Sequence, residues 1–376
     1  MKKLFAVLMA LLMVLCLAGC GQKTEETAGT TEAAKTIYVM GPTPDHGWTA
    51  QAGTYAEAKA KEIAAAGTYK SEYISASSGE EQNDQIKQII ANGDAAGVVM
   101  MALDDTAASG QEELAANNIP FISFDRIIEA TEKYAILNYS GDNWQCGAGI
   151  AYWLQKNGLK PGDTCVVLYG DTGTVCTRRE EGFRQFLKGE VEYNDLKTGS
   201  YKTTETWTDD QLNALFGQYS TVCNWSKDGA QTYLDSTMAD IIAAAKANNG
   251  KLYIYSMDDE MTFGVLNVLE AIKGGNNKAL AKDAADLEIY ISAIGGMQEF
   301  YDVMSGKDTA LAPVADEFFD DTMSMFFSPK MMQSAVDYMT KYLAGDWSFE
   351  KGAGTYEPVF IVDRTTAGST EGFTGH

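Results

Sequence analysis

From Thr36 onward, short unbroken apolar runs rich in β-branched and aromatic residues alternate with longer segments whose apolar positions recur every three or four residues. IYVM at 37–40 precedes a stretch in which Ala52, Ala56, Ala60 and Ile63 share one helical face. EYIS at 72–75 precedes another, with Ile86, Ile89 and Ile90 at helical spacing, and GVVMM (97–101), PFISF (120–124) and YAILN (134–138) continue the series. Strands that are apolar without a break are covered on both faces, as in a parallel βαβ array. After Gly141 the pattern restarts. TCVVLYG (164–170), KLYIYS (251–256) and LEIYISA (287–293) predict strands, and 143–157, 178–188, 230–248, 262–273 and 297–305 predict helices. Residues 199–222, rich in Thr and Asp, read as an insertion; an amphipathic segment near 318–344 and a last strand, PVFIV at 358–362, close the chain.

This pattern predicts an α/β protein of two similar doubly wound parallel-sheet lobes, joined by a multi-strand hinge with a ligand cleft between them. About 340 residues exceed what one ordinary core organises. The expected division is 36–141 plus 314–345 for the N-terminal lobe and 142–313 plus 346–376 for the C-terminal lobe, with crossovers near Gly141, Pro313 and Ala344 to Asp346.

The residues ahead of the body follow a different logic. Lys2 and Lys3, the apolar run Leu4 to Leu15, and Leu17-Ala18-Gly19-Cys20 have the layout of a cleaved export signal over residues 1–19. The run is shorter than the roughly 20 apolar residues of a membrane span. Its end resembles the lipobox of bacterial lipoproteins, which implies a diacylglyceryl group on Cys20 as the first mature residue. Two acyl chains hold a protein at a membrane where one does not. Residues 20–35 lack large apolar side chains and read as a flexible tether. The expected location is therefore extracytoplasmic, anchored to the outer face of the cell membrane.

Charge and cysteines narrow the function. With 52 Asp and Glu against 29 Lys and Arg, the formal charge is −23. A phosphate backbone needs a basic stripe, and the only basic pair in a plausible site is Arg178-Arg179, so nucleic acid is excluded as a partner and a soluble monomer is expected. Of the six cysteines, Cys16 leaves with the signal and Cys20 carries lipid. Cys146 and Cys165 sit on apolar elements and read as buried thiols. Cys176 and Cys223 fall in expected loops, either as free thiols or as a disulfide suited to an oxidising compartment. No Cys/His cluster has metal spacing, and the sequence carries no P-loop, G-x-S-x-G, H-E-x-x-H or EF-hand pattern. No metal, no cofactor and no enzymatic activity are expected.

Right-handed βαβ winding places ligands outside the carboxyl ends of the strands. Pro44-Asp45-His46-Gly47-Trp48 follow the first predicted strand and Asp125-Arg126 follow PFISF. A loop to Arg178-Arg179 follows TCVVLYG, and Asp258-Asp259-Glu260 follow KLYIYS. An aromatic plate with convergent carboxylates and guanidinium groups suits a polyhydroxylated ring, whose C–H faces stack while its hydroxyls take the forks. Taken singly, Asp125-Arg126 also reads as a local ion pair, Trp48 as a core aromatic and Asp258 as a helix cap. Their recurrence at equivalent strand ends carries the reading.

PDHGW, EEQNDQIKQIIANGDAAGVVM, IPFISFDR, RREEGF and MDDEMTFGVLNVLEAI make the body, from Thr36 to about Asp363, similar to type I periplasmic-binding proteins of the ribose and galactofuranose group. The resemblance implies a receptor that delivers a monosaccharide to an ABC permease, with contacts from Asp45, His46, Trp48, Asp125, Arg126, Arg179, Trp225 and Asp258. Alternatives it leaves open are a sensor for a kinase or chemoreceptor, and a nucleoside-like or furanone ligand. Where ribose-type members have asparagine this chain has Ala102. Where most have aspartate after the LEIYISA-like strand it reads Ile294-Gly295-Gly296-Met297-Gln298, and the glutamine of the last crossover is replaced near Pro313. Asp258 stands for the usual Asn before Asp-Glu-Met, and Gln298 is the expected compensating polar group.

Overall fold

A computed structural model describes residues 35–43 and 47–375. The signal, Cys20, the tether up to Ala34, and the site candidates Asp45 and His46 lie outside the described residues. The first half of the body runs β1 (Thr36–Pro42), α1 (Gly47–Ala66), β2 (Lys70–Ala76), α2 (Gly79–Asn92), β3 (Ala95–Met100), α3 (Ala108–Ala116), β4 (Phe121–Phe124) and β5 (Leu137–Gly141). Next come α4 (Asn143–Lys156), β6 (Thr164–Tyr169), α5 (Thr174–Leu187), β7 (Tyr193–Asp195), β8 (Gly199–Tyr201), α6 (Asp209–Phe216), β9 (Tyr219–Val222), α7 (Lys227–Asn248), β10 (Lys251–Ser256) and α8 (Asp259–Gly274). The chain ends with α9 (Lys278–Ala285), β11 (Glu288–Gly295), α10 (Gln298–Met304), α11 (Ala312–Phe318), β12 (Phe319–Phe326), α12 (Met331–Ala344), β13 (Gly354–Glu357) and β14 (Phe360–Asp363).

Two six-stranded sheets result, ordered β13-β5-β4-β3-β1-β2 and β14-β12-β11-β10-β6-β9. All their pairings are parallel except β12 with β14. Each sheet repeats one winding, in which the second strand of the lobe lies outside the first and the third reverses direction across it, so each has a switch point beside its first strand. The apolar strand runs are buried as read: Ile37, Val39, Val98, Val99, Val166, Val167, Leu252 and Ile254 have no exposure. Helix ends are fixed locally. Ser78 accepts from Glu81 N–H to cap α2, which stops at Gly93 with φ 71°, and Ser226 accepts from Gly229 N–H to cap α7.

Three details differ from the sequence reading. Residues 199–222 are not an insertion: β9 pairs with β6 and completes the second sheet. Its polarity reflects an edge position, with Ser220 and Val222 turned outward, as edge strands require. The 318–344 segment is two elements, because Ser328 and Pro329 separate β12 from α12. Consequently residues 314–326 belong with the second sheet rather than the N-terminal lobe, and β13 joins the first sheet beside β5 rather than the C-terminal one. The chain passes between sheets after β5, between β12 and α12, and between β13 and β14.

Candidate functional site

The carboxyl ends of the first sheet present Trp48, Met101, Asp125 and Arg126. Trp48 opens α1 just after β1; its ring stacks at 6.2 Å on Phe124 and lies 5.7 Å from Phe327, and its indole N–H donates to the Phe327 carbonyl at 2.8 Å. Asp125 leaves β4 at φ 59°, a left-handed conformation that costs a non-glycine residue roughly 1 kcal/mol. Its N–H donates to Tyr139 O at 2.9 Å, and its buried Oδ1 has no hydrogen-bond partner. Burial pushes the Asp125 carboxyl up, with Arg179 and Arg126 opposing.

The second sheet answers with Asp171, Arg179, Trp225 and Asp258. Asp171 follows β6, and its Oδ2 accepts from Arg126 Nη2 at 2.6 Å and from Trp225 Nε1 at 3.0 Å. The Arg126–Asp171 pair therefore bridges the two lobes. Burial alone would raise the Asp171 carboxyl, but Arg126 holds it below the usual range; burial alone would lower the Arg126 guanidinium, and Asp171 holds it up. The Arg126 Nε remains buried and unpartnered. Arg179 projects from α5, where α4 and α5 approach so closely that a Cβ on Gly147 would sit 1.8 Å from Arg179 O and one on Gly182 1.9 Å from Trp144 O. Only glycine permits that crossing, which sets where Arg179 points. Its Nε donates to Asn143 Oδ1 at 2.9 Å and its Nη1 to Met257 O. The guanidinium lies 5.1 Å from the Phe327 ring and 5.6 Å from Trp225, in cation–π range of both.

Asp258 caps α8 by accepting from Glu260 N–H at 2.8 Å, and also faces the cavity; burial and the adjacent Asp259 push its carboxyl well above the usual range. Asp259 is structural. It accepts from Gly296 N–H at 2.7 Å, Met297 N–H at 2.8 Å and the Ser324 hydroxyl at 2.8 Å, tying α8 to β11 and β12. Burial pushes its pKa up to about 6 despite these donors.

A cavity of about 100 Å³ between the lobes is lined by Trp48, Asp125, Arg126, Arg179, Trp225 and Asp258 together with Met101, Val175, Ile294, Gly295 and Phe327. Six of the expected residues thus converge. Gln298 does not: its amide donates to Asp302 and its oxygen accepts from Gly372 N–H, so it anchors the C-terminal segment instead. Of the two alternatives for Cys176 and Cys223, the structure has the free thiols and not the disulfide. All four described cysteines are free, buried thiols. Cys176 lies in the first turn of α5 rather than in a loop, where its Sγ accepts from Asp171 N–H, and burial pushes Cys176 up to about 11 and Cys223 to about 12. Sequence reasoning missed Asp171 and Phe327. Asp171 sits just past β6 and was legible by the strand-end rule, whereas Phe327 was hidden with β12. Among the described residues no cluster has the makings of a metal site.

Fold and cavity together define a two-lobed α/β protein whose lobes meet over a small, charged and aromatic crevice. A family model described as periplasmic binding protein domain matches residues 37–346, and the chain belongs to that family. Among curated proteins none matches the sequence. Solved structures share the fold. The periplasmic component of an arabinose ABC transporter from Shewanella sp. ANA-3, bound to L-arabinofuranose, aligns at TM-score 0.63 and 18% identity over 89% of this chain and 93% of that one. A galactofuranose binding protein aligns at 0.63 and 17% over 89% and 96%. A solute binding protein from Clostridium phytofermentans with bound β-D-glucose aligns at 0.61 and 20% over 88% and 95%.

Proposed function

We propose that this chain is a non-enzymatic solute receptor that closes its two lobes on a monosaccharide and presents it to an ABC-type permease, tethered to the membrane through lipid on Cys20. The observation that carries the reading is the convergence of two indoles, two guanidinium groups and three acidic side chains, Asp125, Asp258 and Glu260, from both lobes on one cavity. Asp125 Oδ1 and Arg126 Nε, buried without partners, supply an acceptor and a donor for ring hydroxyls. Structurally similar receptors crystallised with sugars support the class. The lobes pivot at the three passages between sheets. Ligand contacts to both lobes exist only when these are closed, so binding shifts the population toward the form a permease recognises.

Calorimetric titration against a panel of monosaccharides tests the reading. A micromolar affinity, about 8 kcal/mol, is expected for at least one sugar. Trp225→Ala and Arg179→Ala should each weaken it tenfold or more, and the sugar should be recovered unaltered. Wild-type affinity in both variants would remove the cavity from the function, and a hydrolysed sugar would make the protein an enzyme. For the anchor, Cys20→Ala should release the protein from membranes; retention would refute lipid attachment at that residue.

A further inference from the structure

The crevice does not end at the cavity described above. A second, outer cavity of about 430 Å³ adjoins it, and Thr49, Met101, Arg126 and Trp225 line both. The outer cavity lies past the ends of β1 at Pro42, β2 at Ala76 and β3 at Met100, so it too straddles the switch point of the first sheet. Asn224 and Trp225 face it from the second lobe, both in left-handed conformations, φ 55° and 56°, that residues other than glycine rarely adopt. That turn lays the indole on Gly170, where a Cβ would sit 2.0 Å from the ring, and its N–H is fixed on Asp171 at 3.0 Å. Trp225 is thus held by the protein itself where the two cavities meet.

Size and lining indicate what the outer cavity takes. Small-molecule sites ordinarily enclose roughly 300–1,000 Å³. The inner cavity, about 100 Å³, falls short of that alone, and the two cavities together fall within it. Thr43, Ser77 and Asn224 are exposed there and bring hydroxyl and amide groups, interleaved with apolar Ala76, Ala102 and Leu103. Among the described residues Arg126 is the only charged one in this lining, and Asp171 already balances it at 2.6 Å. An uncharged ring with a hydroxyl rim and C–H faces matches such a surface, whereas a phosphate would call for an uncommitted cation.

We propose that the receptor takes a disaccharide, with one ring in the inner cavity against Trp48, Asp125 and Arg179 and the second in the outer cavity among Thr43, Ser77 and Asn224. The inference rests on the sugar-binding reading of the inner cavity. In the arrangement that Arg126 and Asp171 hold together, a substituent on the inner ring needs a way out that does not part the lobes, and the outer cavity, open to solvent, is that way.

Calorimetric titration with disaccharides and the monosaccharides they contain decides it: maltose and cellobiose with glucose, lactose and melibiose with glucose and galactose, and arabinobiose with arabinose. At least one disaccharide should bind tenfold or more tightly than either of its constituents. Leu103→Trp, which fills the outer cavity from a residue outside the inner lining, should narrow that ratio at least threefold, with folding checked by thermal unfolding. If Leu103→Trp does not fold, Ser77→Trp, at an exposed position of the same lining, takes its place with the same narrowing expected. Methyl and para-nitrophenyl glycosides of the same sugars separate a second sugar ring from any other substituent. The inference is overturned, with the sugar reading intact, if no disaccharide reaches the tenfold margin, if a methyl or nitrophenyl glycoside matches the best disaccharide, or if the folded variant keeps the full preference. Failure of every sugar to bind would sink the sugar reading and this inference with it.

Discussion

Asp171 joins Arg126 of one lobe to Trp225 of the other through a single carboxylate oxygen, so one residue positions two cavity-lining groups and spans the crevice. Asp171→Asn keeps the shape but removes the charge that compensates a largely buried guanidinium. The loss should be about 2 kcal/mol in the closed form, which is roughly thirtyfold in sugar affinity by titration. The pH dependence follows from the sign of the shift. Because the folded Asp171 carboxyl lies below the unfolded value, its stabilisation is complete above the unfolded carboxylate range and is lost as pH falls through the lowered value. Denaturation of the wild type in acid should show this loss, and Asp171→Asn should show less of it; equal acid sensitivity in the two proteins would count against the pair.

At the scale of elements, Asp259 fastens the start of α8 to the end of β11 and to β12, and its carboxyl is raised rather than lowered. Its contribution is therefore fully present below the unfolded carboxylate pKa and is lost as pH rises through about 6. Between about pH 4 and pH 7 the wild type should lose about 3 kcal/mol more unfolding free energy than Asp259→Asn, measured by urea titration at each pH. Parallel pH profiles would show that the carboxyl titrates normally. The same elements mark where sequence was readable. Apolar runs such as TCVVLYG and KLYIYS announce buried central strands because both faces meet helices, and residues just past them, Asp125, Arg126 and Asp258, were found by that rule alone. β9 and β12 escaped. YSTV is half exposed at a sheet edge and looks like loop, while FDDTMSMF carries two acidic residues at its open end and blurs into the helix that follows. Missing β12 displaced the second passage between lobes and concealed Phe327. Gln298 was misassigned because spacing places it at a strand end but does not reveal that its amide is engaged by Asp302 and Gly372.

On the scale of the whole molecule, the Arg126–Asp171 bridge and the 3.9 Å approach of Arg178 to Glu132 make a closed arrangement held partly by charge between lobes. Small-angle scattering of the wild type should report a compact particle whose radius changes little on adding sugar in low salt. Asp171→Asn should be wider without sugar and contract with it. An Asp171→Asn protein as compact as the wild type before sugar is added would show that the bridge does not set the resting state. Trp48 has a part in this motion that its ring contacts alone do not convey. With its sole side-chain hydrogen-bond donor committed to the chain passage at Phe327, the indole would turn with a pivot at that passage like a vane on its spindle, and a twist there would tilt the plate. Opening would thereby spoil the stacking surface and let go of the cargo in one movement.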